Sequence, residues 1–222
     1  MDRYQFLSRF KFQQQYSLLH LLCMTENVHA HDLVTFLVQE CLFHVDICDR
    51  YESTPLFYAC AAGKVEMVYC LLVLGAKVNV RDAVGHFPLM IALRNRHKSI
   101  VESLMLADAD VNMTYTKGNT CVHLLAQRGD IEMLQFLISC QKGTFHSTIQ
   151  LGAKNRHNEN ALFDSLHCPQ FLNFLIETMK AVCPTTELNR LLTSTNAVGY
   201  NLFHKCAEVG NVESLSILTK HI

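Results

Sequence analysis

The chain has 222 residues, half of them hydrophobic and 18% charged, which excludes a disordered polypeptide and allows a sizeable core. Nineteen basic and 20 acidic residues leave a formal net charge of −1, so no global field draws the chain to nucleic acid or to an anionic membrane. Ten cysteines are scattered without a CxxC pair, several inside apolar helical patterns, which points to reduced thiols in a cytoplasmic or nuclear protein and away from a disulfide framework.

In chain order, residues 1–15 ("MDRYQFLSRFKFQQQ") carry charges throughout and lack the unbroken apolar stretch of a signal peptide. They are expected as an N-terminal lead-in or cap. From there to the end, pairs of short apolar helices separated by a turn recur. The first is "YSLLHLLCMTENVHAHDLVTFLVQE" (16–40), with a few extra residues mostly in "NVHAHD". Next come "DRYESTPLFYACAAGKVEMVYCLLVLGAKVNVR" (49–81), "DAVGHFPLMIALRNRHKSIVESLMLADADVNMT" (82–114) and "YTKGNTCVHLLAQRGDIEMLQFLISC" (115–140). Weaker copies follow at 155–179 and from "GYNLFHKCAEVGN" (199–211) onward. The longest apolar run, "YCLLVLGA" (69–76), is too short to span a bilayer, so no membrane insertion is expected.

The spacing carries most of the information. Thr54, Phe87 and Thr120 are equivalent positions separated by steps of 33 residues, and Asn160 and Asn201 follow at steps of 40 and 41. A helix pair this short cannot bury its apolar faces alone, and stacking on neighbours does it instead. Proline or a polar residue opens the first helix, and small residues such as Ala59, Ala92 and Ala207 are expected to let helices approach closely. Between units, "VNVRDAVGHF" has Asp-x-x-Gly turn chemistry and predicts projecting hairpin-like fingers. Glu52 stands where that glycine belongs, so its finger is expected to be distorted. Arg96 likewise replaces a glycine in the basic turn "RNRHK" (94–98). The longer steps come from segments 141–154 and 181–196. The second contains "ELNRLL", expected as a short added helix.

Thr54-Pro55-Leu56, Ala59, Gly63, Leu71-Leu72, Gly75-Ala76 and Val78-Asn79 resemble the ankyrin repeat, "TPLHxAAxxG" followed by "VxxLLxxGADVN". The resemblance implies an all-α ankyrin-repeat solenoid of stacked helix-turn-helix units with finger loops. It spans 16–222, with repeats near 16–48, 49–81, 82–114, 115–154, 155–195 and 196–222. The last helix, "VESLSILTKHI", ends without a finger or a clear polar cap, and continuation in a longer polypeptide is expected from that.

Chemical readings of the same residues are weaker. His204 and Cys206 look like a base and a nucleophile. They fall on the repeat's histidine position (His20 and His123 elsewhere, or Phe57, Met90 and Phe163) and on a helix, where residues two apart do not face each other. A packing role is expected for both. His29, His31, Cys41, His44 and Cys48 form the densest set of metal-ligand residue types, but their spacing fits no zinc pattern. No P-loop, GxGxxG, GxSxG or HExxH occurs. No catalytic residue, cofactor or resident metal is therefore assigned, and no small-molecule substrate or nucleic acid is expected as a partner.

The resemblance implies another protein as partner, held by finger tips and the exposed side of the first helices. Carried onto this chain, those positions are Arg50, Tyr51, Arg81, His86, Arg94, Asn95, Lys117, Gln127, Arg128, Arg156, His157 and Tyr200. Six are cationic, which favours an acidic or phosphorylated segment on a basic concave surface. Scaffold, adaptor and inhibitor action all fit. An inhibitor-of-kappa-B-like protein that masks a transcription factor is the alternative, though the chain has no DSGxxS and no acidic C-terminal tail. Asn79 and Asn112 match the repeat asparagine that asparaginyl hydroxylase modifies in ankyrin proteins, which makes them candidate hydroxylation sites. Each is also a structural loop residue in that repeat.

Overall fold

A computed structural model describes residues 16–27, 29–140 and 148–221. The lead-in at 1–15, Val28 of the "NVHAHD" stretch and the first half of the 141–154 segment lie outside the described residues. The described residues fall into two compact units, one ending at Val111 and the other starting at Asn112.

The first unit stacks three helix pairs: α1 (Leu18–Met24) with α2 (Ala30–Gln39), α3 (Pro55–Ala62) with α4 (Val65–Val73), and α5 (Pro88–Arg94) with α6 (Lys98–Leu106). The first helices pack as one row, α1 on α3 on α5, and the second helices as another, α2 on α4 on α6. Leu19, Leu56, Leu71, Phe87, Leu89, Ile100 and Leu104 fill the space between the rows and are essentially inaccessible. Helices of 7 to 10 residues are marginal alone, so this shared burial stabilises them.

The second unit holds a 3-10 turn (Thr116–Gly118), then α7 (Cys121–Arg128) with α8 (Ile131–Cys140), and α9 (Ala161–Asp164) with α10 (Pro169–Val182). The expected added helix is α11 (Thr185–Thr193), followed by α12 (Leu202–Val209) with α13 (Val212–His221). Here α7 packs on α9, α9 on α12, and α10 on both α11 and α13. Among the described residues the chain is all-α, with one isolated antiparallel bridge between Lys154 and Asn160. The two long segments converge. A Cβ on Gly152 would lie 2.7 Å from Leu191 Cδ1, so any larger residue there would have to displace the Leu191 side chain of α11.

The sequence anchors prove to be helix N-caps: Ser17, Thr54, Phe87, Thr120, Asn160 and Asn201 all have extended backbone just before a first helix. Ser17 with His20, Thr120 with His123 and Asn201 with His204 form capping boxes in which histidine takes the place usually held by glutamate. The Ser17 N–H donates to His20 Nδ1 at 3.1 Å, so the ring proton sits on Nε2, which donates to the Ser53 carbonyl at 3.0 Å. His123 repeats this with the Thr120 N–H (3.2 Å) and the Glu159 carbonyl (3.0 Å). Each ring thus ties its own cap to the residue before the next repeat's cap or its equivalent. Phe57, Met90 and Phe163, at the same position elsewhere, are buried without that bond.

Two expectations change. Ala59 and Ala92 are fully buried as close-approach residues, but Ala207 is exposed. The Glu52 finger is formed like the others: Glu52 takes φ +60°, where other fingers use Gly85 (φ +91°) and Gly199 (φ +88°). The strain sits in the residue and leaves the loop intact, because Asp49 accepts from the N–H groups on both sides of it. Glu52→Gly is expected to stabilise the chain by about 0.5–1 kcal/mol, the relieved positive-φ strain less the added freedom of the unfolded chain. Urea unfolding of the variant measures this, and an unchanged or lowered midpoint contradicts it.

Candidate functional site

Five residues before four of the N-caps, Thr54, Phe87, Asn160 and Asn201, an Asp or Asn closes a finger. Asp49 Oδ1 accepts from the Tyr51 and Ser53 N–H groups at 2.8 and 2.9 Å, and Asp82 Oδ1 from Val84 and His86 at 3.0 and 2.7 Å. In the second unit, Asn155 does the same for His157 and Glu159, and Asn196 for Val198 and Tyr200. The tips are then tied in series. Within the first unit the Ala83 N–H donates to the Tyr51 carbonyl at 2.8 Å. Within the second, Arg156 donates to Lys117 at 2.9 Å and Ala197 to His157 at 2.8 Å. These closures hold the backbone still and leave the side chains one and two residues past each Asx facing solvent.

In the first unit, Arg50 lies over the ring of Tyr51, 4.4 Å from its centroid, and its guanidinium also meets the tyrosine hydroxyl. Tyr51 stays 44% exposed. Arg81 and Arg94 are exposed, Arg94 in the last turn of α5, where a cation suits the helix dipole. Asn95 is exposed, but its amide reaches the Ala61 carbonyl at 3.3 Å. His86 is half-buried and spent on Asp82 Oδ2 at 2.9 Å.

In the second unit, Lys117, Arg128, Arg156 and His157 are exposed. Gln127 is also exposed and donates to Asp164 Oδ1 at 3.0 Å. Tyr200 is 46% exposed and stacks on His204, with ring centroids 5.6 Å apart. His204 itself is exposed, contrary to the packing role expected for it. Its Nδ1 lies 2.6 Å from Asn201 Oδ1, and unlike His20 and His123 it reaches no following carbonyl among the described residues. Cys206 is buried as expected, its thiol pushed up by burial and donated to the Asn211 carbonyl, the reverse of an activated nucleophile. Burial likewise pushes the Cys23 thiol up to about 12.

His29 and His31 both turn to Asp32, at 3.4 and 3.3 Å, but no group of three or more such side chains is placed to hold a metal ion among the described residues. Asn79 and Asn112 use both ends of their amides on neighbouring loops. Asn79 donates to the Asp108 carbonyl (3.0 Å) and accepts from Asp110 N–H (2.8 Å). Asn112 pairs in the same way with Thr148 and Gln150. Asn79 remains exposed and Asn112 half-buried, so a hydroxylase would compete with these hydrogen bonds.

One polar cluster was not visible in the sequence. Tyr115 occupies the Asx position of the third described finger, and its hydroxyl is buried without a hydrogen-bond partner. Burial pushes that hydroxyl up to about 12, the neighbouring Asn119 side chain acts against the shift, and Asp164 adds to it by its charge. Asp164 Oδ2 is also buried and unpartnered. Burial holds the Asp164 carboxyl above its ordinary value. The Gln127 hydrogen bond, His123 and His167 act against the shift, and Glu159 adds to it. The failed match of Tyr115 to the Asx pattern is the one sequence signal that marks the place.

These stacked pairs with Asx-closed fingers define a repeat protein of the helix-turn-helix kind. The family model described as ankyrin repeats (3 copies) matches residues 5–82 and 89–187, and the chain belongs to the ankyrin-repeat family. It is 37% identical over 98 residues to an ankyrin repeat-containing protein of Schizosaccharomyces pombe, covering 42% of this chain and 41% of that one. It is 35% identical over 88 residues to a probable E3 ubiquitin-protein ligase of Oryza sativa subsp. japonica, covering 39% and 18%. It is 31% identical over 140 residues to Rabankyrin-5 of Mus musculus, covering 47% and 12%. The matches therefore span less than half the length of these relatives. No described helix is long and apolar enough to cross a membrane.

The Asp164 shift gives a pH test. A carboxyl whose folded value is raised binds protons more readily folded than unfolded, so its contribution to stability falls as pH rises above the ordinary carboxylate range. Asp164→Asn, which keeps an acceptor for Gln127, is expected to unfold at higher urea than wild type at neutral pH. The gap should close as pH falls toward 4. Equal midpoints at neutral pH contradict the buried-charge reading.

Proposed function

We propose that the chain is a non-catalytic protein-binding module whose finger tips and inner-helix ends hold an acidic or phosphorylated segment of a partner protein. Ankyrin repeats are protein–protein interaction modules, and scaffold, adaptor and inhibitor action all rest on this kind of binding. The observation that carries the reading is an asymmetry in how charges are used. Arg50, Arg81, Arg94, Lys117, Arg128 and Arg156 are exposed. Among the acids around them Glu52 is exposed, but five others are engaged within the chain. Asp49 and Asp82 close fingers, Glu159 accepts from Asn196 at 2.9 Å, Glu208 pairs with Lys205, and Asp164 is buried. A chain of net charge −1 thus turns a cationic surface outward in each unit. Tyr51 and Tyr200 add half-exposed aromatic anchors.

The ligase named among the relatives is matched over 18% of its length, and we assign this chain only the binding part of any such assembly. Ten free thiols, five of them buried, support a reducing compartment, cytoplasm or nucleus.

A fluorescent Glu-rich decapeptide, its phosphoserine version and a Lys-rich control test the reading by anisotropy. The acidic peptides should bind, more weakly at higher salt, and the combined Arg94→Gln and Arg128→Gln variant should lose about fivefold or more in affinity. Glutamine keeps a helix-compatible side chain, so thermal unfolding should move little. Equal binding of the Lys-rich control, or undiminished binding by the variant, contradicts the proposal.

A further inference from the structure

The second-helix row of the first unit carries a feature that the finger surface does not use. In α4, Met67, Val68 and Leu71 face inward and are buried. Val65, Tyr69 and Val73, spaced four apart, form a second apolar stripe on the outside. Tyr69 is 66% exposed and Val73 68%. A surface helix needs only one apolar face, so the second stripe is not explained by the fold.

The stripe is the wall of a groove of about 560 Å³, whose lining includes Thr35 and Gln39 of α2, Tyr69, Cys70 and Val73 of α4, and Ser103 of α6. Cys70 lies at its side toward α2, with Sγ 3.4 Å from Thr35 Oγ1. Around this apolar strip the fixed charge is mostly negative, with His31 also on the lining. Glu66 lines the groove, and Asp32 and Glu102 are exposed on the flanking helices, against the half-buried Lys98. Asp32 is engaged by His29 and His31, whereas Glu66 and Glu102 form no ion pair among the described residues.

We infer that this groove docks an amphipathic helix of a partner protein, apolar along the face that meets Tyr69 and Val73 and bearing lysine or arginine where it passes Glu66 and Glu102. An i, i+4, i+8 stripe suits the side of a helix, which offers apolar residues at the same period. The two unpaired carboxylates choose the sign of the partner's flanks, and they reject an acidic helix by leaving like charges opposed. The module then has two surfaces of opposite preference: cationic fingers for an acidic segment, and this acidic-rimmed groove for a basic helix. Each surface stands without the other.

The test uses the full chain and two fluorescein-labelled 18-residue peptides, one a leucine/lysine amphipathic helix and one with glutamate for every lysine. The lysine peptide should bind at least tenfold more tightly than the glutamate peptide. Tyr69→Ser with Val73→Ser should weaken it about tenfold, and so should Glu66→Gln with Glu102→Gln, while Glu213→Gln in α13 leaves it unchanged. The glutamine pair swaps exposed carboxylates for amides of the same shape and keeps the test decisive even where the serine pair disturbs the fold. Equal affinity for the two peptides, or full affinity in the glutamine pair, overturns the proposal. So does concentration-dependent dimerisation in sedimentation velocity that the serine pair abolishes, since a second copy would then be the occupant.

Discussion

Helix pairs of this length cannot stand alone, and the fold answers that with a polar tie as well as apolar stacking. In α1 and α7 a histidine caps its own helix through Nδ1 and holds a carbonyl near the next cap through Nε2, at 3.0 Å in both cases. Apolar burial is non-directional and tolerates sliding, whereas a ring with two fixed bonds sets one register. Register matters here because the finger tips are useful only if they stand side by side. The backbone bonds from Ala83 to Tyr51, Arg156 to Lys117 and Ala197 to His157 require it.

Function follows from how the same fingers spend their charges. Their carboxylates and amides are turned inward to close the loops, while the neighbouring cations stay exposed at the surface. A surface with an electrostatic preference therefore arises as a by-product of loop closure. The second-helix row obeys different rules. There no finger consumes the acids, and α4 leaves tyrosine and valine outside, so the preference inverts.

Much of this was legible before any coordinates. Steps of 33 residues placed the caps, "ELNRLL" placed α11, and the Asp-x-x-Gly turn placed the fingers. Glu52 misled because pattern matching treats a missing glycine as a broken loop, while Asp49 holds that loop closed from both sides. His204 misled in another way. Its position in the motif is that of buried His20 and His123, but burial comes from the following repeat and not from the motif. The outer stripe on α4 was hidden because "VEMVYCLLV" reads as one buried helix, and sequence alone does not say which apolar residues face out. The meeting of Gly152 with Leu191, and of Tyr115 with Asp164, joins residues about 40 to 50 positions apart, beyond any local period.

The central claim is that the histidine tie sets the register of the fingers, and His123→Phe tests it most directly. Phenylalanine occupies the same position at Phe57 and Phe163, so the pocket accepts the ring while both hydrogen bonds are lost. The account predicts a loss of about 1–3 kcal/mol in urea unfolding, from the carbonyl and cap groups left unpaired. It also predicts faster hydrogen exchange at the Arg156 and Ala197 amides. Wild-type stability with unchanged exchange at those two amides would show that apolar stacking alone sets the register.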